Sequence, residues 1–222
     1  EILLHSDHVQ LHAETYTGLV EVGVGLIPGW GGCKELVLRY QEKEAAQYAK
    51  AAEAVEGDKI WFSPDKSPMG AIRKAFEIIG TATVAKSGPE AKDIYFRDSD
   101  GVTMNRDRLL FDAKQKALEL VDGYEAPEKR DDIRLPGPSG KMALDMAVAD
   151  LRKSGKATPY DVTVSSALAT VLTGGDKADW TEPMNDDDIV KLERDEFMKL
   201  VKNEGTMARI EHMLDKGKPL RN

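Results

Sequence analysis

Glycines are concentrated at the beginning of the chain, where six of them lie within residues 1–33. Glycine adopts backbone conformations that other residues avoid, so this density predicts tight turns that join short extended segments. Residues 19–24 are typical of such an extended segment, because valine alternates there with other residues. The stretch 28–32 precedes a helical pattern at 33–39 and predicts a helix N-terminus. The free N–H groups of that terminus can bind an anion or a carbonyl oxygen.

Helical patterns dominate the rest of the chain. Beyond the first quarter, a strand is expected only within residues 94–104, around a tight turn. Helices are predicted after Ser67-Pro68 up to Gly80, shortly after Pro89, and at 107–121. The alanine-rich stretch 41–56 is typical either of a solvent-facing helix or of a flexible insert. The apolar face of the last of these consists of Leu109, Leu110, Ala113, Ala117, Leu120 and Val121. The fold class expected from these patterns is mainly α with a minor β part.

A segment rich in proline and glycine, at 125–140, predicts an internal boundary. We therefore expect a first domain at residues 1–125, a linker at 126–140 and a helical extension at 141–222. The extension contains four helical patterns that are separated by glycines. These patterns lie at about 141–154, 159–172, 185–203 and 206–216.

The composition argues against several classes of partner. A formal net charge of −8 argues against a nucleic-acid backbone, because phosphate binding requires a basic surface. No apolar run approaches the roughly 20 residues that cross a bilayer, and no signal peptide opens the chain. The single cysteine, Cys33, cannot form an internal disulfide or a thiolate metal site, which favours a cytoplasmic location.

The chain starts with Glu1 inside an apolar stretch, and its first Lys or Arg is Lys34. Natural N-termini are usually polar, so this opening is typical of buried polypeptide. We therefore expect the sequence to begin in the middle of a domain. The net charge then describes only part of a longer protein.

Two glutamates, Glu1 and Glu21, flank the first part of this region. Paired carboxylates can share acid and base work on one substrate, one activating water and the other protonating carbon. A carboxylate in an apolar, glycine-rich segment is costly unless it is solvated, paired or functional. The alternative is that Glu21 caps a turn or pairs with a lysine, and that Glu1 is only a terminus. The spacing alone favours this alternative, because paired glutamates are common in proteins.

Three of the four histidines, His5, His8 and His12, lie close together and could supply metal ligands. Their spacing alternates poorly on a strand and no cysteine joins them, so ordinary hydrogen-bonded histidines are expected and no metal is assigned. Two glycine-rich motifs also depart from nucleotide sites. The stretch 23–28 lacks the third glycine of a dinucleotide motif, and 137–142 lacks the Ser or Thr that ends a phosphate-binding loop.

Two charged segments of the second half have simple explanations. Asp186 to Asp188 precede a helical pattern, where the helix dipole favours negative charge. Lys216, Lys218 and Arg221 form a small basic tail. This tail could meet a phosphate of a molecule such as coenzyme A, or it could lie in solvent.

Residues 1–4, followed by Asp7 and then by residues 18–32, resemble the crotonase (enoyl-CoA hydratase) superfamily. In that superfamily a glycine-rich turn leads into a first catalytic glutamate. A second glutamate lies twenty residues further on, inside a Gly-x-x-Glu-x-x-x-Gly-x-x-Pro-x-x-Gly-Gly stretch. Glu1 and Glu21 have this separation, and the residues from Gly18 to Gly32 match the stretch closely.

The second half is similar to the end of bacterial long-chain 3-hydroxyacyl-CoA dehydrogenases. The similar stretches are 172–176, 192–197 and 209–222, while residues 83–91 and 107–121 resemble the later crotonase helices. In those dehydrogenases an NAD-binding part comes first and a crotonase-like part closes the chain. The resemblance therefore implies the C-terminal portion of a crotonase-like α/β fold followed by a helical extension, with NAD bound upstream.

The resemblance implies a role in fatty-acid β-oxidation, in which water adds across a 2-enoyl-CoA and NAD then oxidises the 3-hydroxyacyl-CoA. Glu21 is then the acid that protonates C2, and Glu1 positions or activates the water. Gly29, Trp30 and Gly31 are expected to bind the acyl-CoA substrate. The family's oxyanion hole, which polarises the thioester carbonyl, lies upstream of Glu1, so the chain alone is expected to be inactive.

The implied partners are the acyl-CoA thioester, the upstream NAD-binding part of the same polypeptide, and a thiolase or a second copy of the protein. A rival interpretation of another class is a non-catalytic helical scaffold that docks partner domains, with Glu1 and Glu21 as relics. A further alternative is another crotonase reaction, such as isomerisation or thioester hydrolysis, on the same fold.

Overall fold

A computed structural model describes residues 1–53 and 67–222. This part of the chain is mainly helical, as the helical patterns predict, and it also contains a small sheet of two strands. The strands are β1 (Gln10–His12) and β2 (Gly101–Thr103). The helices are α1 (Gly32–Glu53), α2 (Met69–Gly80), α3 (Gly88–Tyr95), α4 (Leu109–Glu119), α5 (Gly137–Lys153), α6 (Pro159–Leu172), α7 (Asp186–Val201) and α8 (Glu204–Lys216). Of the two alternatives for 41–56, the helix is present as the second part of α1, and the last three residues of the stretch lie outside the described residues.

The two strands are parallel, and Leu11 of β1 is paired with Val102 of β2. The buried carboxylate of Asp100 stabilises the entry to this pair. Its Oδ1 accepts the N–H of Val9 at 2.8 Å, and its Oδ2 accepts the N–H of Arg97 at 2.7 Å. The turn predicted before β2 is therefore present, and the aspartate at its end links the two strands.

Two expectations of extended structure are wrong. Residues 21–24 form a 3₁₀ helix, because Gly25 takes a left-handed conformation with φ of 79° and closes a tight turn there. Ile94 and Tyr95 belong to α3 rather than to a strand. That helix forms because the Ser87 hydroxyl accepts an N–H group of the first turn and a proline occupies its start.

The hydrophobic core surrounds α6, which packs against α1, α2, α5 and α7. Leu168, Ala169 and Val171 of this helix are completely buried. The helix begins with a capping box in which the side chains and backbone N–H groups of Thr158 and Asp161 bond each other. Local capping and central burial therefore both stabilise α6.

The segment 126–140 contributes to this same core. Ile133 and Leu135 are buried, and Ile133 exchanges two backbone hydrogen bonds with Met184 at 3.1 and 2.7 Å. Helix α5 begins inside the segment, at Gly137. The division into 1–125, 126–140 and 141–222 stays a prediction, and the four helical patterns expected after it correspond to α5, α6, α7 and α8.

Helix α4 differs from the others in its surroundings. A 3₁₀ turn at Arg106–Arg108, capped by the Asn105 side chain, precedes it. The helix packs beside β1, yet none of its residues is buried in the described part of the chain. Leu110 is 82% exposed, and Val121, just after the helix, is 65% exposed. Leu109 and Ala113 are half-buried, so the apolar face recognised in the sequence is largely but not completely open.

Candidate functional site

The turn at residues 28–32 leads directly into α1, as the sequence predicts for this helix N-terminus. Gly31 has a φ of 94°, and a Cβ atom at this position would lie 2.7 Å from Nε2 of His5. A Cβ atom on Gly29 would lie 3.0 Å from the ring of Phe197 in α7. Glycine is therefore required at Gly31 both by its conformation and by close packing.

The carboxylate of Glu1 is bound at the start of α1. Its Oε1 accepts the backbone N–H of Trp30 at 2.7 Å and that of Gly32 at 2.9 Å. A Cβ atom on Gly32 would lie 3.0 Å from both Cγ and Oε1 of Glu1, so the absence of a side chain lets the carboxylate approach. Both hydrogen bonds use one oxygen, which fixes the orientation of the carboxylate.

Glu21 is the first residue of the 3₁₀ helix and is partly buried. Its Oε2 is buried and has no hydrogen-bond partner among the described residues. Burial raises the pKa of the Glu21 carboxyl, because the charged form loses solvation, and the negative charge of Glu1 raises it further. The two glutamates thus influence each other electrostatically, although they are bound differently.

A third glutamate, Glu193 of α7, reaches the same helix terminus. It is completely buried, and its Oε1 accepts the backbone N–H of Cys33 at 3.1 Å. Burial raises its pKa to about 8, against the opposing effect of the hydrogen bond from Cys33. The negative charge of Glu1 also raises this pKa. Glu193 is not among the site residues that the sequence predicts.

The signal for Glu193 was its place on the buried face of α7. It lies four residues after Ile189 and seven before Leu200, and all three are buried. Positions at this spacing share one helix face, so a glutamate among apolar residues there should attract notice. Carboxylates are rarely buried completely without a particular reason.

The three residues expected to bind substrate lie together but differ in exposure. Gly29 and Gly31 are buried, whereas Trp30 is 75% exposed while its backbone N–H holds Glu1. Their role in substrate binding stays a prediction.

The three clustered histidines all have hydrogen-bond partners. His5 Nδ1 lies 2.9 Å from the carbonyl oxygen of Glu1, and a ring nitrogen of His8 lies 3.1 Å from Oε1 of Gln10. Nδ1 of His12 accepts the N–H of Glu14 at 3.2 Å. Within the described ranges, no group of three or more His, Cys, Asp or Glu residues is arranged to hold a metal ion.

The two glycine motifs also lack the geometry of nucleotide sites. Residues 23–28 begin inside the 3₁₀ helix at 21–24 and include no strand that turns into a helix. At the start of α5, Lys141 donates to the hydroxyl of Ser166 at 2.8 Å and is committed to neighbouring side chains. We therefore place no dinucleotide on these residues.

A largely apolar groove of about 730 Å³ lies between α2, α5 and α6. Its wall includes Val22 and Gly23, the two residues that directly follow Glu21. Phe76 and Leu151 contribute apolar surface. Arg221 of the basic tail also lines the groove and donates to the carbonyl oxygen of Lys156 at 3.1 Å.

The described helices include none that is both long and apolar enough to cross a membrane. The fold and site define a mainly helical region in which the carboxylates of Glu1 and Glu193 bind the N-terminus of α1, and the partly buried Glu21 lies close enough for the charge of Glu1 to raise its pKa. No protein-family model matches the chain.

The chain is homologous over its whole length to a Bacillus subtilis protein named "Probable 3-hydroxyacyl-CoA dehydrogenase". The two are 34% identical over 223 residues, which include 100% of this chain and 26% of that protein. A Rickettsia felis protein named "Putative fatty acid oxidation complex trifunctional enzyme" is 39% identical over 59 residues, or 27% of this chain and 8% of its own length. A Rickettsia prowazekii protein of the same name is 49% identical over 39 residues, or 18% of this chain and 5% of its own length. The chain thus spans about a quarter of the Bacillus relative.

Proposed function

We propose that this chain is a region of a fatty-acid β-oxidation enzyme that acts on acyl-CoA thioesters. In this proposal it is the C-terminal portion of a crotonase-like domain with a helical extension, and it hydrates 2-enoyl-CoA through Glu1 and Glu21. The homology along the whole chain to a protein named as a 3-hydroxyacyl-CoA dehydrogenase supports the pathway. The hydratase assignment rests on the different surroundings of the two glutamates. Two backbone N–H groups bind Glu1, whereas burial raises the pKa of Glu21.

Glu21 is suited to the role of general acid. Burial raises the pKa of its carboxyl, so it holds a proton to higher pH than an exposed glutamate does. Its Oε2 is not engaged by any described residue, which leaves that atom free to carry the proton. A neutral carboxylic acid beside the substrate can deliver that proton to C2.

Glu1 is suited to positioning and activating water. Two backbone N–H groups hold its Oε1, and neither of them occupies Oε2. The water oxygen bonds to C3 while Glu1 takes its proton, the C2–C3 π electrons shift towards C2 and the thioester, and Glu21 protonates C2. Glu1 ends protonated and Glu21 ionised, and proton exchange with solvent restores the starting state.

The apolar groove supports an acyl substrate. Ligand sites are typically concavities of about 300–1,000 Å³ with mostly apolar walls, and the groove of about 730 Å³ falls in this range. Val22 and Gly23, the two residues that follow the proposed acid in the chain, line this groove. An acyl chain that extends beyond C3 can therefore enter it.

The other parts of the activity belong to a longer polypeptide in this proposal. NAD binds upstream, where it accepts hydride from the 3-hydroxyacyl-CoA, and no step that involves NAD is assigned to the described residues. A thiolase or a second copy of the protein remains the proposed partner, and the cytoplasm the proposed location.

The substitution Glu21→Gln in the full-length polypeptide tests the hydratase assignment. Removal of the general acid should lower hydration of crotonyl-CoA by about 10²- to 10⁴-fold and leave NAD-linked oxidation of a 3-hydroxyacyl-CoA unchanged. Glu14→Gln is the matched control, because Glu14 is exposed. Equal loss of both activities in Glu21→Gln, or normal hydration, would contradict the assignment.

The 222-residue chain by itself is expected to be inactive, because the oxyanion donors of the proposed site lie upstream. Purified chain should show no hydration of crotonyl-CoA above the buffer rate. Hydration at the rate of the longer polypeptide would show that the donors lie within these residues.

The open face of α4 favours a second candidate, a non-catalytic docking region. Leu110 and Val121 present apolar side chains to solvent in the described structure, and about three quarters of the Bacillus relative lies outside the matched region. The remainder of the same polypeptide would then cover this face. Normal hydration by a Glu1→Ala/Glu21→Ala double variant of the longer polypeptide would favour this candidate over the hydratase.

A further inference from the structure

We propose that Glu193 is a positioning residue for the hydration reaction. It holds the first turn of α1 in place, and through this turn it orients the backbone N–H groups that bind Glu1. The expected effect of Glu193 on catalysis rests on the proposed function. Its effect on the first turn of α1 can be tested independently.

The geometry places Glu1 and Glu193 on adjacent N–H groups. Glu1 accepts from Gly32 at 2.9 Å, and Glu193 accepts from Cys33, the next residue, at 3.1 Å. At a helix start these donors have no partner within the helix and need an outside acceptor. The two carboxylates therefore satisfy neighbouring donors of one turn, and a rotation of either peptide plane disturbs both hydrogen bonds.

The burial of Glu193 is unfavourable for stability alone. Its side chain is completely buried, and its Oε2 has no partner in the described part of the chain. Burial of a polar group without a full set of hydrogen bonds lowers the stability of a protein. A leucine would pack in such a place without this cost, so the acceptor at Cys33 is the specific property that a glutamate supplies.

The charges around Glu193 indicate that it acts through hydrogen bonding and not through negative charge. Lys34, the nearby cation on α1, lies 2.9 Å from Oε1 of Glu35 and 3.1 Å from Oδ1 of Asp186, so two other carboxylates neutralise it. Burial raises the pKa of the Cys33 thiol, so this neighbour is neutral. With a pKa of about 8, Glu193 itself is mainly neutral at pH 7.

This description predicts that glutamine can replace Glu193 and that leucine cannot. Glutamine keeps a neutral oxygen that accepts the Cys33 N–H, while leucine leaves that donor buried and unpaired. The first turn of α1 then shifts, and Glu1 loses its orientation towards the water. A misplacement of about 1 Å in a catalytic group can cost about 10²-fold in rate.

The experiment compares Glu193→Gln, Glu193→Leu and Glu193→Asp in the full-length polypeptide. We measure kcat and KM for crotonyl-CoA hydration together with the rate of NAD-linked oxidation. Glu196→Leu is the matched control on the same helix, because the recorded partner of Glu196 is Lys199 within α7. We expect Glu193→Leu to lower kcat by about 10²-fold with little change in KM, and Glu193→Gln and Glu196→Leu to stay near wild type.

Glu193→Asp covers the case in which the leucine variant fails to fold and loses both activities. Its shorter side chain cannot span the same distance to Cys33, so hydration should fall while NAD-linked oxidation persists. Wild-type kcat in Glu193→Asp or in Glu193→Leu would overturn the proposal. Loss of hydration in Glu193→Gln equal to that in Glu193→Leu would overturn it too, because glutamine retains the acceptor.

Hydrogen exchange at residues 28–36 separates this inference from the proposed function. Glu193→Leu should reduce protection of the amides of Trp30 and Gly32 as well as that of Cys33, and Glu193→Gln should preserve all three. Loss confined to Cys33 would overturn the positioning role. If the wild-type polypeptide does not hydrate crotonyl-CoA, the proposed function fails, while this measurement still decides whether Glu193 orients the turn.

Discussion

Helices α6 and α4 have similarly recognisable sequences and opposite surroundings. Helix α6 buries seven of its fourteen residues between four other helices, whereas α4 buries none within the described structure. Both carry apolar residues at helical spacing; a side-chain cap begins α6, and another begins the 3₁₀ turn that precedes α4. The difference teaches that periodicity identifies a helix and its apolar face, but the partner of that face is supplied by other parts of the chain.

The largest expected effect is in the interior of α6. Leu168 is completely buried, and its Cδ2 lies 3.9 Å from the Cβ position of Gly80 in α2. Leu168→Ala should lower the free energy of unfolding by about 2 to 5 kcal/mol, because it removes buried methyl groups and leaves a cavity. Urea denaturation of the 222-residue chain measures this change. A loss below about 1 kcal/mol would show that α6 is not the tightly packed centre.

The second effect depends on pH and concerns the buried face of α7. The native pKa of Glu193, about 8, lies above the ordinary value of 4.5, so the native state binds the proton more tightly than the unfolded state. The contribution of this tighter proton binding to the stability of the native state is therefore fully present below about pH 4.5 and is lost as the pH rises to about 8. Within this window Glu193 should lower the free energy of unfolding by up to about 1.4 kcal/mol per pH unit.

The comparison of wild type with Glu193→Gln isolates this dependence, because glutamine does not titrate. The stability of the variant relative to wild type should increase between pH 5 and pH 8 in urea denaturation series. Glu119→Gln on α4 is the control, since Glu119 is exposed and should show no such trend. A constant difference between wild type and Glu193→Gln would mean that Glu193 titrates normally.

A smaller effect is expected at the cap of α6. Thr158 accepts the N–H of Asp161 at 3.1 Å, and Asp161 in turn accepts the N–H of Thr158 at 2.8 Å. Thr158→Ala should cost about 1 kcal/mol, a typical value for the loss of an N-cap. Asn105→Ala, before α4, should cost less, because its cap serves a short 3₁₀ turn on an exposed helix. If thermal denaturation shows the same loss of stability for both variants, the expected difference between the two caps is wrong.

The smallest effect is expected on the open face of α4. Leu110 is 82% exposed, so Leu110→Ala should change the free energy of unfolding of the chain by no more than about 0.5 kcal/mol. The same urea measurement used for Leu168→Ala checks this. A loss of 2 kcal/mol or more would show that α4 is packed in solution, and the contrast between the helices would then fail.

The helices could be predicted from sequence to a large extent, and the extended segments could not. The helices after residue 140 follow local periodicity, caps and glycine breaks, which act within a few residues. Residues 21–24 were expected to be extended because of their valines, yet the left-handed turn at Gly25 makes them a 3₁₀ helix. Ile94 and Tyr95 were likewise assigned to a strand on propensity, and the cap at Ser87 places them in α3.

The candidate site was partly predictable. Glu1, Glu21 and the glycines of the turn were recognised through residues that are close in sequence. Glu193 was missed because it lies 160 residues from Cys33, the residue that donates to it. A glutamate on the apolar face of α7 is the local sign of this residue. Its hydrogen-bond partner, Cys33, is identified only by the packing of α7 against α1.

The sequence by itself determined the helical periods, the turn before α1 and the pair of glutamates beside it, because each of these depends on neighbouring residues. The tertiary structure alone decided that the apolar face of α6 is buried and that of α4 is open. It also decided that Glu1 and Glu193 bind one helix terminus and that burial raises the pKa values of Glu21 and Glu193. Burial and desolvation depend on groups brought together from distant parts of the chain, so local patterns do not specify them.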